Sequence, residues 1–508
     1  MKTANIKSSS ITLMGIILLA KIIGMLRDVV IANYFGTTNV SDAFLIALSV
    51  PMVLFYLVGH ALSTAYIPMY NRVKVEKGEK EAQRYSNYLL TAAMAISTVI
   101  VLLLLLFPGS VVKIFAAGFD QATADIAIRL IRISAPSIYI MCAVNVFSGY
   151  LQANKNFLVP AAISLPRNAA IVTAVVLAAT WGTDWLGIGL LVSYFVELIV
   201  LIPFVLRKGY LYKPQMKLTD EYMRQTLYVV TPIVLGVCVG QVNKIVDRSM
   251  ASTIVQGGIS ALTYASVINN AVQEVLVTGI VTILFAKCAE YVAKQEHEKV
   301  KRKLYETINV MILLIIPVCV GVIILAEPIV SMVLCRGEFD QYSLKMTAGA
   351  LRFYTVGLLF LAMRDTLVKV FYAYKETRTT TFVSITAIIG NIIMNLVLGR
   401  LMGINGLALA TSLSAVYSCV LLYILLRKKV GDYGLKEMLM VVLKSAIGCV
   451  PMAATALFLY RQLWIRSIGV AGLFICVLLS CIVYFAVEFL IRNEPVISAV
   501  KKWTAKRK

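Results

Sequence analysis

Residues 18–30 read Leu18-Leu19-Ala20-Lys21-Ile22-Ile23-Gly24-Met25-Leu26-Arg27-Asp28-Val29-Val30, inside an apolar run from Ile11 to about Phe35. At about 1.5 Å per residue, this run is long enough to cross a bilayer as a helix. A charged side chain in a spanning helix costs roughly 2.5–3.5 kcal/mol on insertion scales, so it usually faces a watery cavity or a partner. Lys21, Gly24 and Asp28 share one helical face, and Arg27 lies about 100° to one side of Asp28. The stretch therefore predicts a cavity wall on the first membrane helix.

The composition places the whole chain in the membrane. Of its 508 residues 60% are hydrophobic and only 15% are charged, which no soluble domain matches, so we expect an all-α polytopic membrane protein. The first span keeps its charges and lacks a small-residue cleavage site. We therefore expect no cleavable signal peptide.

The basic residues collect in alternate loops. The net charge of +22 does not indicate nucleic acid, because the loops between the basic ones are nearly free of Lys and Arg. This positive-inside pattern predicts that both termini are cytoplasmic and that the number of spans is even, and the excess charge suits an anionic inner leaflet. The basic loops are Arg72 to Arg84, Arg207 to Lys217, Lys287 to Lys303, Lys369 to Arg378, Arg427 to Lys436 and the Lys501 to Lys508 tail.

The cysteines and histidines do not indicate a metal centre. The nine cysteines are scattered, mostly inside apolar runs and without a CxxC pair, so we interpret them as small core side chains. His60 and His297 are the only histidines in the sequence, which excludes a histidine-rich metal site. We predict no cofactor, and leave open a monovalent coupling cation.

Apolar windows of about 20 residues predict fourteen spans. They lie near 11–34, 42–70, 86–107, 124–152, 157–180, 185–206, 224–249, 260–286, 304–325, 344–373, 381–401, 405–427, 437–460 and 468–491.

An internal repeat relates the two halves of the chain. Ile114-Phe115-Ala116-Ala117-Gly118-Phe119-Asp120-Gln121 follows the third window, and Val333-Leu334-Cys335-Arg336-Gly337-Glu338-Phe339-Asp340-Gln341 follows the ninth. A repeat of six spans gives both copies the same orientation. It predicts two parallel six-helix lobes, residues 1–213 and 214–432, with an additional helix pair in 433–508 and a substrate site between the lobes.

Several motifs resemble the MurJ/MviN family of the multidrug/oligosaccharidyl-lipid/polysaccharide (MOP) exporter superfamily, the lipid II flippases. Lys21 to Asp28 resembles the family's opening Arg-x-x-Gly-x-x-Arg-Asp, with lysine in place of the first arginine. The resemblance covers the whole chain in order and spacing. Its further pieces are Phe35-Gly36, Ser41-Asp42-Ala43-Phe44, Pro51, Gln241 to Arg248, Arg336 to Asp340, Met363 to Leu367 and Thr377-Arg378-Thr379.

Two departures from the family pattern reduce the positive charge that is expected in the cavity. Family members often carry paired arginines where this chain has Leu54-Phe55-Tyr56, and an arginine after the Tyr-Ala of the eighth helix, where Tyr264-Ala265 continues as Ser266. Bidentate arginine contacts hold phosphate strongly. The departures favour a different polyprenyl-linked cargo, whereas the order of the motifs favours lipid II.

The resemblance implies a flippase that moves an undecaprenyl-pyrophosphate-linked sugar to the outer leaflet. The implied diphosphate contacts are Lys21, Arg27 and Arg248. Asp28, Asp42, Asp247 and Glu274 are candidates to balance these charges or to bind a coupling ion. The adjacent pairs Arg27–Asp28 and Asp247–Arg248 would also fit packing salt bridges.

The remaining candidates have a functional and a structural interpretation each. His60, in the second window, is either a pH switch or a hydrogen-bonding group between helices. Arg364, Asp365 and Lys369 are interpreted as gate or lobe contacts.

Two alternatives stay open at this point, and a third is disfavoured. The cargo of the flippase can be another polyprenyl-linked glycan, or the chain can be a cation-coupled drug antiporter of the same superfamily. A membrane-embedded glycan polymerase needs a catalytic group on an outer loop, and the outer loops are short and carry few acids, so we predict a non-enzyme. The expected partners are a polyprenyl-linked glycolipid and membrane lipids, with no nucleic acid, and we expect a monomer.

Overall fold

A computed structural model describes residues 2–217, 219–465 and 469–497, with no description of the side chains of 1–11, 57–58, 60–64, 232–233, 235–237, 239 and 463–470. These described residues form α-helices, one π-helical segment (Glu274–Thr278) and no strand. The helices are α1 (Lys2–Phe35), α2 (Asn39–Lys77), α3 (Glu79–Leu106), α4 (Pro108–Phe115), α5 (Gln121–Ser134), α6 (Ser137–Ala153), α7 (Leu158–Ala162), α8 (Ser164–Trp181), α9 (Asp184–Arg207), α10 (Glu221–Ile254), α11 (Gly258–Gln273), α12 (Gly279–Ala293), α13 (His297–Ile324), α14 (Ala326–Leu334), α15 (Gln341–Val356), α16 (Leu358–Ala373), α17 (Thr377–Met402), α18 (Ile404–Val430), α19 (Leu435–Ile465) and α20 (Gly469–Leu490).

Most of the predicted spans correspond to helices able to cross a membrane. Within the described residues, ten helices are long and apolar enough, and up to twelve spans result if the bent pairs α5–α6 and α15–α16 each count as one. The two remaining windows, 11–34 and 224–249, fall in α1 and α10, which are 34 residues long and include side chains outside the described part of the structure. The all-α multi-span fold is confirmed, and the count of fourteen stays a prediction.

The helix boundaries repeat along the chain. α5 and α15 begin at Gln121 and Gln341, and α6 and α16 end at Ala153 and Ala373. Both pairs are bent, by 48° and 44°. The first bend contains Pro136, which cannot donate a backbone hydrogen bond, and at the second the Gly357 N–H donates to Ser412 Oγ at 3.1 Å. Equivalent windows of the two halves therefore fold in the same way.

By their contacts, the described residues form two compact units. The first comprises the chain up to Ser260 together with Arg336–Asp340, and the second Ala261–Cys335 together with the chain from Gln341 onward. The two lobes at 1–213 and 214–432 follow from the sequence repeat, and 433–508 is the additional helix pair; contacts do not enter either prediction. They stay a prediction.

In the first unit, α2 packs against α3, α5, α6 and α10. Its apolar stretch Ala43–Ala47 is buried. Five tyrosines fill the interior near the basic end of these helices, and each hydroxyl has a hydrogen-bond partner, as buried phenols usually do. They are Tyr66, Tyr70, Tyr85, Tyr150 and Tyr210.

In the second unit, one large apolar core joins α12, α13, α16 and α18. Leu284, Ile308, Leu367 and Leu422 are buried in it. α19 and α20 pack against each other, and α19 packs along α13. Lipid and protein core are both apolar. The face that a helix of this unit turns to the core and the face that it turns to lipid therefore need not differ in polarity.

The repeated glycine motif makes two close backbone contacts, both inside the first unit. A Cβ on Gly118 would lie 2.4 Å from the Ser252 carbonyl oxygen on α10, and the Gly118 N–H donates to Ser252 Oγ at 3.0 Å. A Cβ on Gly337, whose φ is +57°, would lie 2.2 Å from the Asn33 carbonyl oxygen on α1. Each copy of the motif thus contacts the first helix of the opposite half, at a distance that only glycine allows.

We expect Gly118→Ala to lower the free energy of unfolding by about 1–3 kcal/mol, the usual cost of overpacking against atoms that cannot move away. Gly321→Ala is the matched control, because Gly321 lies inside α13 with open space around its Cα. This control should raise stability by about 0.5–1 kcal/mol through helix propensity. Thermal unfolding of both purified variants in detergent measures the difference, and a Gly118→Ala protein as stable as the control would contradict the contact.

Candidate functional site

A cavity of about 340 Å³ lies between α1, α7 and α8 in the first unit. We call it the cationic cavity, and its lining residues are Ile17, Ala20, Lys21, Gly24, Arg27, Ala161, Ser164, Arg167 and Asn168. α1 and α8 approach each other at Gly24, where an added Cβ would lie 3.8 Å from Asn168 Nδ2. Lys21, Gly24 and Arg27 therefore line one cavity, and their role as substrate contacts stays a prediction.

Arg27 is held in place by two side chains. Its Nε and Nη2 both donate to Asp28 Oδ1, at 3.0 and 2.7 Å, and its Nη1 donates to Asn168 Oδ1 at 3.2 Å. Asn168 is itself oriented, because its Nδ2 donates to the Ser164 carbonyl oxygen. The Arg27 side chain is 19% exposed and that of Asp28 is 7% exposed. These contacts use three of the five guanidinium N–H groups and fix the charge at the cavity wall.

A second cavity of about 310 Å³ shares Ser164 and Arg167 with the cationic cavity. Its wall combines two tyrosines, an amide, two serine hydroxyls, a guanidinium and a carboxylate with apolar side chains. The lining residues are Met52, Phe55, Tyr56, Met141, Val144, Asn145, Ser148, Pro160, Ile163, Ser164, Arg167, Tyr194 and Glu197.

Arg167 joins the two cavities. Its Nη1 lies 3.2 Å from Glu197 Oε1, and its guanidinium lies 5.7 Å from the centre of the Tyr194 ring. The Glu197 side chain is 4% exposed and that of Arg167 is 29% exposed. Because a lone buried carboxylate is very costly, Arg167 stabilises Glu197 and still presents positive charge to the cavities.

Sequence reasoning missed Arg167, Asn168 and Glu197. Arg167 and Glu197 lie inside the apolar windows 157–180 and 185–206, so the criterion that selected Lys21, a charge within a span, would have found both. Arg167 also places a cation on the wall formed by Phe55 and Tyr56, where the sequence predicted a loss of positive charge.

Arg248, Asp247 and Asp42 lie elsewhere in the first unit. Arg248 Nη1 donates to the Leu45 carbonyl oxygen of α2 at 3.3 Å, and Asn243 Nδ2 donates to Asp247 Oδ2 at 3.1 Å. Neither Arg248 nor Asp247 lines the two cavities described above. Their substrate and ion-coupling roles stay predictions.

Asp42 caps the start of α11. Its carboxylate accepts hydrogen bonds from the Gly257 N–H at 2.9 Å, the Ser260 N–H at 2.8 Å and Ser260 Oγ at 2.7 Å. The residue is 2% exposed. This arrangement satisfies donors that a helix N-terminus leaves open, so the structure gives Asp42 a clear packing function, and its role in ion coupling stays a prediction.

The second unit contains a similar group of charges. Arg364 Nε and Nη2 donate to Asp365 Oδ1 at 3.1 and 2.8 Å, and Gln273 Nε2 donates to Asp365 Oδ2 at 3.0 Å. Glu274 follows Gln273 and begins the π-helical segment, a feature frequent at functional sites. Lys369 Nζ lies 5.6 Å from the centre of the Phe285 ring. The gate role of Arg364, Asp365 and Lys369 stays a prediction, and so does the ion-coupling role of Glu274.

His60 belongs to α2, but its side chain is outside the described residues. The predicted switch at His60 is therefore not addressed by the structure.

The family model described as lipid II flippase MurJ matches residues 31–479. The chain belongs to this family. A relative from Thermotoga maritima, described as a probable lipid II flippase MurJ, is 26% identical over 467 residues, which are 91% of this chain and 93% of the relative. The lipid II flippase MurJ of Burkholderia cenocepacia is 25% identical over 438 residues, or 84% of each chain.

Solved structures show the same fold. A lipid II flippase MurJ in an inward closed conformation matches with a TM-score of 0.81 at 24% identity, covering 95% of this chain and 99% of its own. An inward-facing multidrug resistance transporter of the MATE family, within the MOP superfamily, matches with a TM-score of 0.69 at 14% identity, covering 83% of this chain and 98% of its own. These likenesses show a shared fold, and membership of the MOP superfamily stays a prediction.

Membership of the MurJ family also confirms the broader expectations. The chain is a multi-pass bacterial membrane protein of a flippase family, whose members are transporters rather than enzymes. The matched range includes Arg27's partner Asn168 and the Arg167–Glu197 pair, although it begins after Arg27 itself.

We expect Asp42→Ala to lower the free energy of unfolding by about 2–3 kcal/mol, because the buried donors of Gly257 and Ser260 lose their acceptor. Asp120→Ala is the control: Asp120 caps α5 through the Thr123 N–H at 3.1 Å, at an exposed position, and should cost less. Thermal unfolding in detergent measures both.

Asp42→Asn separates the capping role from ion coupling. The amide keeps one acceptor oxygen and should recover part of the stability. If Asp42→Asn is as stable as the starting protein yet inactive in transport, the carboxylate charge itself is needed and capping is not its main role.

Proposed function

We propose that this protein moves lipid II, the undecaprenyl-pyrophosphate-linked peptidoglycan precursor, from the inner to the outer leaflet of the cytoplasmic membrane by alternating access. Its family supports the cargo. The observation that carries the proposal is the cationic cavity, in which Lys21, Arg27 and Arg167 line one open space between α1, α7 and α8.

The chemistry of the cargo fits this cavity. A diphosphate cannot cross hydrocarbon unaided, and an arginine or lysine in a spanning helix needs an anion or water to offset its desolvation. Arg27 is held by Asp28 and Asn168, so its guanidinium does not have to be ordered when phosphate binds. Preorganised, charge-assisted hydrogen bonds of this kind are the strong ones.

The topology follows from the charge pattern. The basic loops predict an inner-membrane protein with both termini in the cytoplasm, which places the loop after α2 and the loop after α12 on the cytoplasmic side. We propose that one copy of the chain suffices, since a flippase of two lobes contains its whole pathway within one chain.

The driving force is proposed to be the membrane potential or a cation gradient. The sequence has no Walker-type phosphate loop, and each charge moved across the membrane is worth about 2.3 kcal/mol per 100 mV. Asp28, Asp42, Asp247 and Glu274 are the acids that such coupling would use.

Another polyprenyl-linked glycan remains the second candidate cargo, on the observation that Leu54-Phe55-Tyr56 stands where relatives often carry arginines. Complementation of a bacterial strain depleted of its lipid II flippase separates the two. Growth supports lipid II as cargo, and lysis despite normal membrane expression supports the other glycan.

Efflux of cationic dyes by the expressing strain tests the drug antiporter.

We expect Lys21→Gln and Arg27→Gln to reduce the appearance of lipid II on the outer leaflet by about 10-fold or more, because each removes a charged contact to the diphosphate. Arg27→Lys keeps the charge without the bidentate geometry and should retain part of the activity. The measurement is the accessibility of lipid II to an impermeant reagent in cells that depend on this protein.

Arg129→Gln is the matched control. Arg129 also pairs with a carboxylate, at 3.7 Å from Asp184, but its side chain is 55% exposed and outside the cavity. Transport at the starting level by Lys21→Gln and Arg27→Gln, with equal amounts of protein in the membrane, would remove both residues from the substrate site.

A further inference from the structure

The second cavity of the first unit has the lining of a carbohydrate site. Tyr56 and Tyr194 supply aromatic surface, Asn145 an amide, Ser148 a hydroxyl and Glu197 a carboxylate. Sugar hydroxyls both donate and accept hydrogen bonds, so they require this mixture of groups, while a purely cationic wall suits phosphate. Its volume of about 310 Å³ is at the lower end of the roughly 300–1,000 Å³ of small-molecule pockets.

Two buried polar atoms of this wall lack a hydrogen-bond partner among the described residues. They are Ser148 Oγ and Arg167 Nε. A buried donor or acceptor without a partner costs about 1–3 kcal/mol, and nearly all such atoms in proteins are satisfied by protein, water or a ligand. Both atoms belong to residues that line the second cavity, so polar groups without a partner in the described protein lie beside this cavity.

The buried carboxylate of Glu197 gives the same indication. An acid that is 4% exposed on a membrane helix needs a reason to be there. Packing alone is better served by an apolar residue, since a buried ion pair contributes little to stability. Glu197 instead places a hydrogen-bonding carboxyl group on the cavity wall, 3.2 Å from the Arg167 guanidinium.

Arg167 determines how the two cavities are related. It lines both of them, with Ser164 as the other shared residue. A diphosphate in the cationic cavity and a group bonded directly to it can therefore lie on opposite sides of one guanidinium. In a polyprenyl diphosphate glycan, the group bonded to the diphosphate is a sugar.

We propose that the second cavity is a carbohydrate subsite, which holds the sugar attached to the diphosphate, and that Arg167 contacts both groups. The proposal rests on the proposed function, because it assumes a diphosphate in the cationic cavity. Glu197 and Ser148 bind sugar hydroxyls, and Tyr56 and Tyr194 cover the sugar ring. The remainder of the headgroup lies outside this subsite.

Two probes distinguish the subsite from the diphosphate site. One is a short-chain prenyl diphosphate, and the other is the same prenyl diphosphate carrying one N-acetylated hexose and no peptide. Binding of each is measured by calorimetry to the full-length protein in nanodiscs. The starting protein should bind the glycosylated probe about 10-fold or more tightly than the bare diphosphate, as two or three additional hydrogen bonds imply.

Ser148→Ala and Glu197→Gln should each weaken binding of the glycosylated probe, by about 3- to 10-fold for the hydroxyl and about 10-fold for the charge. Both should leave the bare diphosphate within about 2-fold of its starting affinity. Arg167→Gln should weaken both probes, because it contacts both groups.

Two variants serve as matched controls. Ser193→Ala removes a buried hydroxyl of the same unit that donates to the Leu190 carbonyl oxygen, and Glu488→Gln removes a buried carboxylate of the second unit. Neither should change the binding of either probe. Ser148→Ala is a small change, so it tests the subsite even if Glu197→Gln fails to fold.

The outcomes separate the two proposals. If the starting protein binds both probes equally, or if Ser148→Ala and Glu197→Gln leave the glycosylated probe unaffected, the subsite is wrong and the flippase proposal stands. Equal losses for both probes would make the two residues structural and also overturn the subsite. Failure of the starting protein to bind either probe overturns the flippase proposal together with the subsite.

Discussion

The arrangement of the first unit depends on keeping arginine side chains charged inside membrane helices. An isolated charge in a membrane-spanning helix is costly, and the protein offsets the cost by placing acceptors beside the guanidinium groups. Arg27 donates to Asp28 and Asn168, and Arg167 pairs with Glu197. Asn168 reaches Arg27 from the neighbouring helix α8, which lies in ordinary contact range of α1 at Gly24.

A related solution occurs in the second unit. Arg364 donates through the same two nitrogen atoms to the next residue, Asp365, and Gln273 supplies the amide. In the first unit the amide oxygen contacts the arginine, whereas in the second the amide nitrogen contacts the aspartate. An adjacent Arg-Asp pair with an amide from another helix therefore stabilises charge within each unit, and leaves a cationic wall in the first.

The glycines of the repeated motif have a different physical role. Gly118 and Gly337 let a loop contact the backbone at the end of a helix, α10 in one case and α1 in the other. In the same unit, the Asp42 carboxylate caps the start of α11. Backbone contacts of this kind leave no space for a side chain, which accounts for the glycine that the sequence repeats 219 residues apart.

The sequence by itself determined the helical membrane class, the repeat, the family and the positions of Lys21 and Arg27, because hydropathy and motif spacing are local properties. It did not determine which charges share a cavity. Arg27 and Asn168 are 141 residues apart, and Arg167 meets Glu197 only because α8 packs against α9. Helix packing decides which distant side chains lie close together, and a single sequence carries no signal for such pairs. The tertiary structure alone therefore revealed the second cavity and the capping role of Asp42.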